Sequence, residues 1–558
     1  MTDEPTIDAK ENRLSPAVVL MGLAVAAFAI GLCVNPCTVN DLFWQLRTGA
    51  AILTTHALPH QDTYSYASGR PWVLHEWLAF VLYAVLYRVG GFPAIWLMTA
   101  LLVAATFVIV FVSSSREARS PMVGLMLTML ALMTSARFFG PRPQLFTYLA
   151  LATLIAVALA ARRGRPKLVF AALPLFPIWI NFHAGAIPGV AFLAIFAICD
   201  AAEGRFRPGL ADDERAHMLA SARTFGVTAA IAALLTLATP YSWHTHQNLL
   251  ATIGNPVAMN LVGEWLSPDF HSEFGQLLEI YLFLTALAMG LSKERRSFAD
   301  IALLLLLVHE ALGANRNVPL LAIAGTPLLA RHAMSALSRF MTRSKDAPAL
   351  FGPSLPAPVG AILLATSVLL AAVLSQSVVS AVAPGARMSL QSVAATSFQL
   401  SAFPSGASAF LERERFPTTM RLWNKYDDGG YLIWRLPEYK VLSDGRADVY
   451  FGRQLDDVAR LNALCYDWQR ILDTYGCDVV MISAQQKQAR VFMGSPEWAL
   501  VYVDRTQLDD PNFHLSNNLI LVRRDPAHAA LIAQCRRDCP AVGVLAQTDM
   551  AKDFPAFR

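Results

Sequence analysis

The chain has 558 residues, of which 55% are hydrophobic and only 15% charged. Soluble domains carry about 25% charged residues and stop growing near 250–300 residues, so this apolar surplus excludes a soluble enzyme and a disordered chain. A net charge of +4 with no Lys/Arg-rich run gives no reason to expect a nucleic-acid partner.

Apolar stretches of roughly 17–25 residues can cross a bilayer as helices. Eleven are read in chain order, near 15–35, 93–112, 121–137, 144–161, 168–182, 185–202, 224–241, 276–292, 298–314, 318–334 and 358–380. The segment Glu76–Tyr87 is apolar but too short to span, and reads as an interfacial or re-entrant helix. The first span reads as a retained anchor and not a cleaved signal, because its apolar run continues through Val34. With the N-terminus in the cytoplasm, the inner loops collect 19 Lys and Arg and the outer loops six. That asymmetry sets the orientation, and an odd number of spans puts the tail outside.

The division expected is therefore a cytoplasmic segment 1–14, a membrane domain 15–384 with a large first outer loop 36–92, and an outer α/β domain 385–558. In that last domain, strands are expected near Tyr431–Leu436, Lys440–Leu442, Val479–Ser483, Leu500–Val503 and Leu519–Val522. Helices are expected over Leu455–Tyr475 and Ala527–Cys535. Cys535 and Cys539 are close enough in sequence to pair in an oxidising compartment. Asp444, Arg446 and Asp448 read either as ligand-binding groups or as a salt-bridged turn.

The unusual polar residues fall beside outer helix ends. They are Asp41, Asp62, His75, Glu76, Arg142, His183, Glu264 and Arg316. Each has an ordinary structural reading: a cap for Asp41, a turn for Asp62, a helix-start acid for Glu76, packing for His183. Ionisable groups at membrane depth are costly, however, and their gathering on one face points to a single cavity.

The first outer loop carries a pattern. It reads Asp41-x-Phe43-Trp44-Gln45, then Pro59-x-x-Asp62-x-Tyr64-Ser65, then Gly69-x-Pro71-Trp72 and Glu76-Trp77-Leu78. With Arg142-Pro143-Gln144, Asn181-Phe182-His183 and Gly263-Glu264-Trp265, it resembles bacterial multispanning proteins related to the GT-C glycosyltransferases. That group includes protein O-mannosyltransferases and lipid A aminoarabinose transferases. The loop departs from the transferase pattern in lacking a second acid after Asp41 and a His-Pro-Pro motif.

The resemblance implies a membrane enzyme of the bacterial inner membrane. It would transfer a sugar from a polyprenyl-phosphate donor to a glycan, lipid or protein acceptor on the periplasmic face. Asp41, with Asp62 as a second acid, would be catalytic, and Asp41 would serve as general base. Arg142 and Arg316 would hold the lipid phosphate, with His75, Glu76, His183 and Glu264 lining the substrate site. No cofactor is assigned; a divalent metal between Asp41 and Asp62 stays open, since two carboxylates alone make no site. The rival readings are a flippase for a lipid-linked glycan and a non-catalytic envelope assembly protein.

Overall fold

The computed structural model describes residues 15–538 except 35, 37–38, 69–70, 342–350, 354, 383–384, 386, 399–401, 451–452 and 505–517. Cys37, Arg70 and Cys539 lie outside the described residues, so the Cys535–Cys539 pairing falls there too. The chain divides into two compact units. One comprises Met1–Cys37, Phe92–Ser242 and Gly263–Ser397; the other comprises Thr38–Gly91, Trp243–Val262 and Phe398–Arg558.

The first unit is helical. Among the described residues of the whole chain, eight helices are long and apolar enough to cross a membrane, and Pro16–Leu32 and Pro166–Phe182 are shorter apolar helices. Phe298–Gly313, at 16 residues, falls below the same length. Local sequence explains where several helices begin. Ser15 and Ser120 precede prolines, and their hydroxyls accept from Val18 N at 3.3 Å and Val123 N at 3.4 Å. A Ser cap followed by Pro satisfies exposed amides and presets the first helical φ. The long helix Trp77–Ala118 is broken at Gly90 and Gly91, where Gly91 takes φ 61°. The segment after the break is the expected span; the segment before it is the short apolar helix.

Small residues let helices approach closely. A Cβ on Gly31 would lie 2.7 Å from that of Ala371, so Pro16–Leu32 packs tightly on Ala357–Val382. Elsewhere that last helix is almost bare, with 6% of its apolar window buried, as suits a helix facing lipid.

At one end of the unit, buried acids stitch five helices together. Arg162 reaches Asp200 at 2.7 Å, where Ser221 Oγ also donates at 2.7 Å. Arg331 pairs with Asp300, and Arg207 pairs with Glu203. These arginines belong to the loops read as cytoplasmic, and their partners are fully buried.

The second unit carries a four-stranded sheet. Its strands are β1 (Leu422–Asn424), β2 (Val479–Ser483), β3 (Trp498–Val503) and β4 (Asn518–Arg523), in the order β1-β2-β4-β3. β1 runs parallel to β2; the other pairings are antiparallel, and the β3–β4 register shifts between Leu500 and Tyr502. The last three expected strands form. Tyr431–Leu436 does not: Gly429–Arg435 is a helix. Its β-rich composition is overridden by tertiary contact, because Gly429 and Gly430 bring its first turn against Ser443–Asp444 and Asn40. Around Lys440–Leu442 only isolated bridges of Val441 to Ser65 and Leu422 appear. Leu455–Tyr475 is two helices, Arg453–Asn462 and Trp468–Tyr475, separated by a turn in which Leu464 has φ 50°.

Candidate functional site

Two clusters of polar side chains stand out, one in each unit. In the helical unit, Arg142 lies in the turn between the 3-10 helix Ala136–Phe138 and the helix Gln144–Arg162. Its guanidinium hydrogen-bonds to Glu264 in the short turn Gly263–Trp265. That turn is tied to the next one by Asn315 N donating to Leu266 O at 2.9 Å. The tie places the Arg316 guanidinium 5.4 Å from the Trp265 ring centre, where it stacks. Burial alone would raise the Glu264 carboxyl, but the charges of Arg142, Arg316 and Arg137 hold it below the ordinary carboxylate range. Arg142 and Arg316 thus meet at the turn that carries Glu264. The sequence brought Arg142, Arg316 and Glu264 forward; it did not single out Arg137.

His183 has a different task. Its Nδ1 accepts from Gly185 N at 3.0 Å and pairs with Thr147 Oγ1 at 2.8 Å, while Trp179 Nε1 donates to the same hydroxyl. An accepting Nδ1 places the neutral ring's proton on Nε2. His183 closes the turn between the helices Leu175–Phe182 and Ala186–Phe206.

In the second unit, Asp41 occupies the first turn of the helix Asn40–Thr55, a favourable place for an anion. Its Oδ1 accepts from Trp44 Nε1 at 3.0 Å. The same oxygen lies so close to Gly445 that a Cβ there would sit 2.0 Å away. Gly445 is the centre of Asp444-Gly445-Arg446, and its two neighbours are fully engaged. Arg446 is buried and forks onto Asp444, with contacts of 2.7 and 2.6 Å, and reaches Asp62 Oδ1 at 2.7 Å. Trp72, Tyr64 and Trp44 line its faces at 4.8, 5.1 and 5.8 Å. Tyr450 Oη donates to Asp444 at 2.6 Å. Of the two sequence readings, the salt-bridged turn describes Asp444 and Arg446.

Asp62 is likewise committed. Its carboxylate accepts from Tyr64 N at 2.9 Å, Ser65 N at 3.2 Å, the Ser68 hydroxyl and Arg446. Burial would raise its pKa, but Arg446, Ser68 and Tyr64 bring it below the ordinary value. Four donors use both oxygens, so Asp62 has no capacity left to ligate a metal. Among the described residues no group of three or more His, Cys, Asp or Glu side chains is arranged to hold a metal ion.

His75 stands between two acids, with Nε2 3.7 Å from Glu76 Oε1 and Nδ1 4.0 Å from Asp448 Oδ2. Burial raises the Asp448 carboxyl, opposed in part by His75 and Arg446. Tyr426, in the turn before Gly429, has a buried hydroxyl with no hydrogen-bond partner. Burial and then the carboxylates of Asp41, Asp444, Asp448 and Asp427 raise its pKa, so it stays a neutral donor. Tyr426 and the place of Asp448 beside His75 were missed by the sequence reading. The Asp427-Asp428-Gly429-Gly430 run was the available signal.

No protein-family model matches the sequence, and no curated protein matches it. Solved structures do. The Archaeoglobus fulgidus oligosaccharyltransferase in its apo form superposes with a TM-score of 0.54 at 10% identity, over 85% of this chain and 70% of that one. The chain has the GT-C fold. The same archaeal enzyme in complex with an inhibitory peptide and a dolichol-phosphate gives 0.52 at 11% identity, over 89% and 74%. With an acceptor peptide containing the NVT sequon tethered by a disulfide bond, it gives 0.50 at 12%, again over 89% and 74%.

Proposed function

We propose that this chain is a multi-pass membrane glycosyltransferase. It takes a sugar from a polyprenyl-phosphate donor and passes it to an acceptor on the periplasmic side of a bacterial inner membrane. The observation that carries the reading is the meeting of two arginines at one short turn, Arg142 on Glu264 and Arg316 on Trp265. Its surplus of positive charge suits a phosphate, and arginine engages phosphate oxygens in a two-pronged fashion. The archaeal relative of this fold was captured with a dolichol-phosphate, which agrees with a lipid-phosphate ligand.

In this reading Asp41 is the general base. A lone pair on the acceptor oxygen forms the new bond to the anomeric carbon. The bond from that carbon to the phosphate oxygen breaks, and its electron pair leaves with the lipid phosphate. The acceptor's proton passes to the Asp41 carboxylate. The charge that departs with the lipid phosphate is the kind a preorganised cation stabilises. Asp62 is a positioning residue: through Arg446 it holds Asp444-Gly445-Arg446, the turn against which Asp41 rests.

Two measurements on the purified chain in nanodiscs test this. Native mass spectrometry should detect retained undecaprenyl phosphate, lost in Arg142→Ala. Asp41→Asn should keep the lipid and lose sugar transfer. Failure to retain the lipid, or full transfer by Asp41→Asn, overturns the assignment.

A further inference from the structure

Two polar atoms beside the arginines of the helical unit go unused by the chain itself. The Trp265 indole N–H and the Asn315 side-chain oxygen are shut away from solvent, and neither has a hydrogen-bond partner. Buried polar groups are almost always satisfied, so such orphans point to a group that the chain alone does not supply. They belong to one place. Asn315 N donates to Leu266 O at 2.9 Å, and Asn315 Nδ2 lies 3.5 Å from Ser267 O. That carbonyl must face the amide nitrogen, which leaves Oδ1 as the orphan acceptor. Arg316, the next residue, lies over the Trp265 ring at 5.4 Å. Among the described residues Arg316 has no hydrogen bond or ion pair, whereas Arg142 is bonded to Glu264. Trp265, Asn315 and Arg316 are all half-buried, so their two turns open on the surface.

Building on the transferase reading, we infer that Trp265, Asn315 and Arg316 read the glycosyl phosphate end of the donor. The phosphate accepts from Arg316 and the Trp265 indole, and a hydroxyl of the attached sugar donates to Asn315 Oδ1. The orphans are one donor and one acceptor beside a cation, and a glycosyl phosphate answers all three. A phosphate alone only accepts, so it leaves Asn315 unsatisfied. A neutral sugar alone brings no charge for Arg316. An ammonium could donate to Asn315, but would set a second cation beside Arg316. In turning to the phosphate, Arg316 gives up its stacking on Trp265 and no hydrogen bond. The spent carrier, a lipid phosphate without its sugar, again strands Asn315. The site therefore holds the donor more tightly than the carrier left after transfer, which favours release of the spent lipid.

The test uses fluorine NMR on the full chain labelled with 5-fluorotryptophan. The protein is washed free of bound lipid, as native mass spectrometry verifies, and placed in phosphatidylcholine nanodiscs. Of the 11 tryptophans, the resonance missing from Trp265→Phe is that of Trp265. The probes are glucose 1-phosphate, ethyl phosphate and methyl glucoside, titrated through the millimolar range. Glucose 1-phosphate should shift the Trp265 resonance and bind about three- to tenfold more tightly than ethyl phosphate, the worth of one neutral hydrogen bond. Asn315→Ala should bring glucose 1-phosphate down to the level of ethyl phosphate and leave ethyl phosphate unchanged. A merely structural Asn315 would weaken both phosphates together. Such a parallel loss, equal binding of the two phosphates by the parent, tighter binding of methyl glucoside, or no shift of Trp265 with any probe overturns the inference. Re-addition of undecaprenyl phosphate separates the two proposals. If the lipid fails to bind while glucose 1-phosphate binds in an Asn315-dependent way, the lipid-donor reading falls and the subsite stands. If the lipid binds and Asn315→Ala treats both phosphates alike, the subsite falls and the lipid-donor reading stands.

Discussion

Replacing Asp62 by Asn is the sharpest way to separate the two loop acids. The carboxylate receives four hydrogen bonds, two on each oxygen. An amide keeps one acceptor oxygen. If it faces Tyr64 N and Arg446, its NH2 group meets Ser65 N, donor against donor, while the Ser68 hydroxyl can rotate to accept. The change loses a charge-assisted bond, worth about 1.5–3 kcal/mol, and strands a buried amide, at about 1–3 kcal/mol. It also leaves the buried Arg446 with Asp444 alone. The expected destabilisation is about 3–5 kcal/mol. For a folding unit of a couple of hundred residues, each kcal/mol moves the melting temperature by about 2–4 °C, so the transition should fall by about 6–20 °C. Differential scanning fluorimetry on the chain in nanodiscs reads this, with Asp41→Asn beside it. Asp41→Asn should stay within about 1 kcal/mol, since the amide oxygen can still accept from the Trp44 indole at this half-buried position. An Asp62→Asn protein that melts with the parent yet loses transfer would refute the reasoning, because Asp62 would then act in the chemistry and not through Arg446.

Other outcomes follow from the same geometry. Gly445→Ala places a methyl 2.0 Å from Asp41 Oδ1, so the carboxylate must move; sugar-transfer kcat should drop about 100-fold, by the usual sensitivity of catalysis to a displaced group. A parent-like kcat would remove Asp41 from the reaction. Asp300→Ala strips Arg331 and Arg162 of a buried partner and should cost about 3–5 kcal/mol, seen as a lower melting temperature of the helical unit. The Asp428 carboxyl is raised to about 7 by burial, with Asp427 adding and Lys425 opposing. The folded chain therefore binds that proton more tightly than the unfolded chain, whose value is about 3.9. The resulting stabilisation is complete below pH ~4 and is lost as pH rises to about 7. Asp428→Asn should flatten that slope and be the more stable protein at pH 8, by up to about 4 kcal/mol at 1.36 kcal/mol per pH unit, as denaturant titrations at several pH values would show. An unchanged slope would contradict it.

Hydropathy and proline-serine punctuation were enough to find the helices, because a helix that meets lipid must be apolar along its whole length and its start must satisfy free amides. The three strands from β2 onward were legible for a similar reason, as short β-branched runs between turns. The helix at Gly429–Arg435 was not. Its residues prefer a strand, and only the close approach of Gly429 and Gly430 to Ser443–Asp444 and Asn40 reverses that preference.

The sequence by itself determined the apolar helices of a multi-pass membrane protein, and it brought forward Asp41, Arg142, Arg316 and Glu264 as candidates for the chemistry. It could not assign tasks among like residues. Asp41 and Asp62 sit in the same loop, and spacing treats them alike. Tertiary structure gives Asp62 four donors, one of them an arginine from a position 384 residues away, while Asp41 meets a glycine and an indole. A carboxylate's role depends on which donors and charges surround it. Those neighbours are brought together by folding, from segments whose separation along the chain carries no trace of the contact.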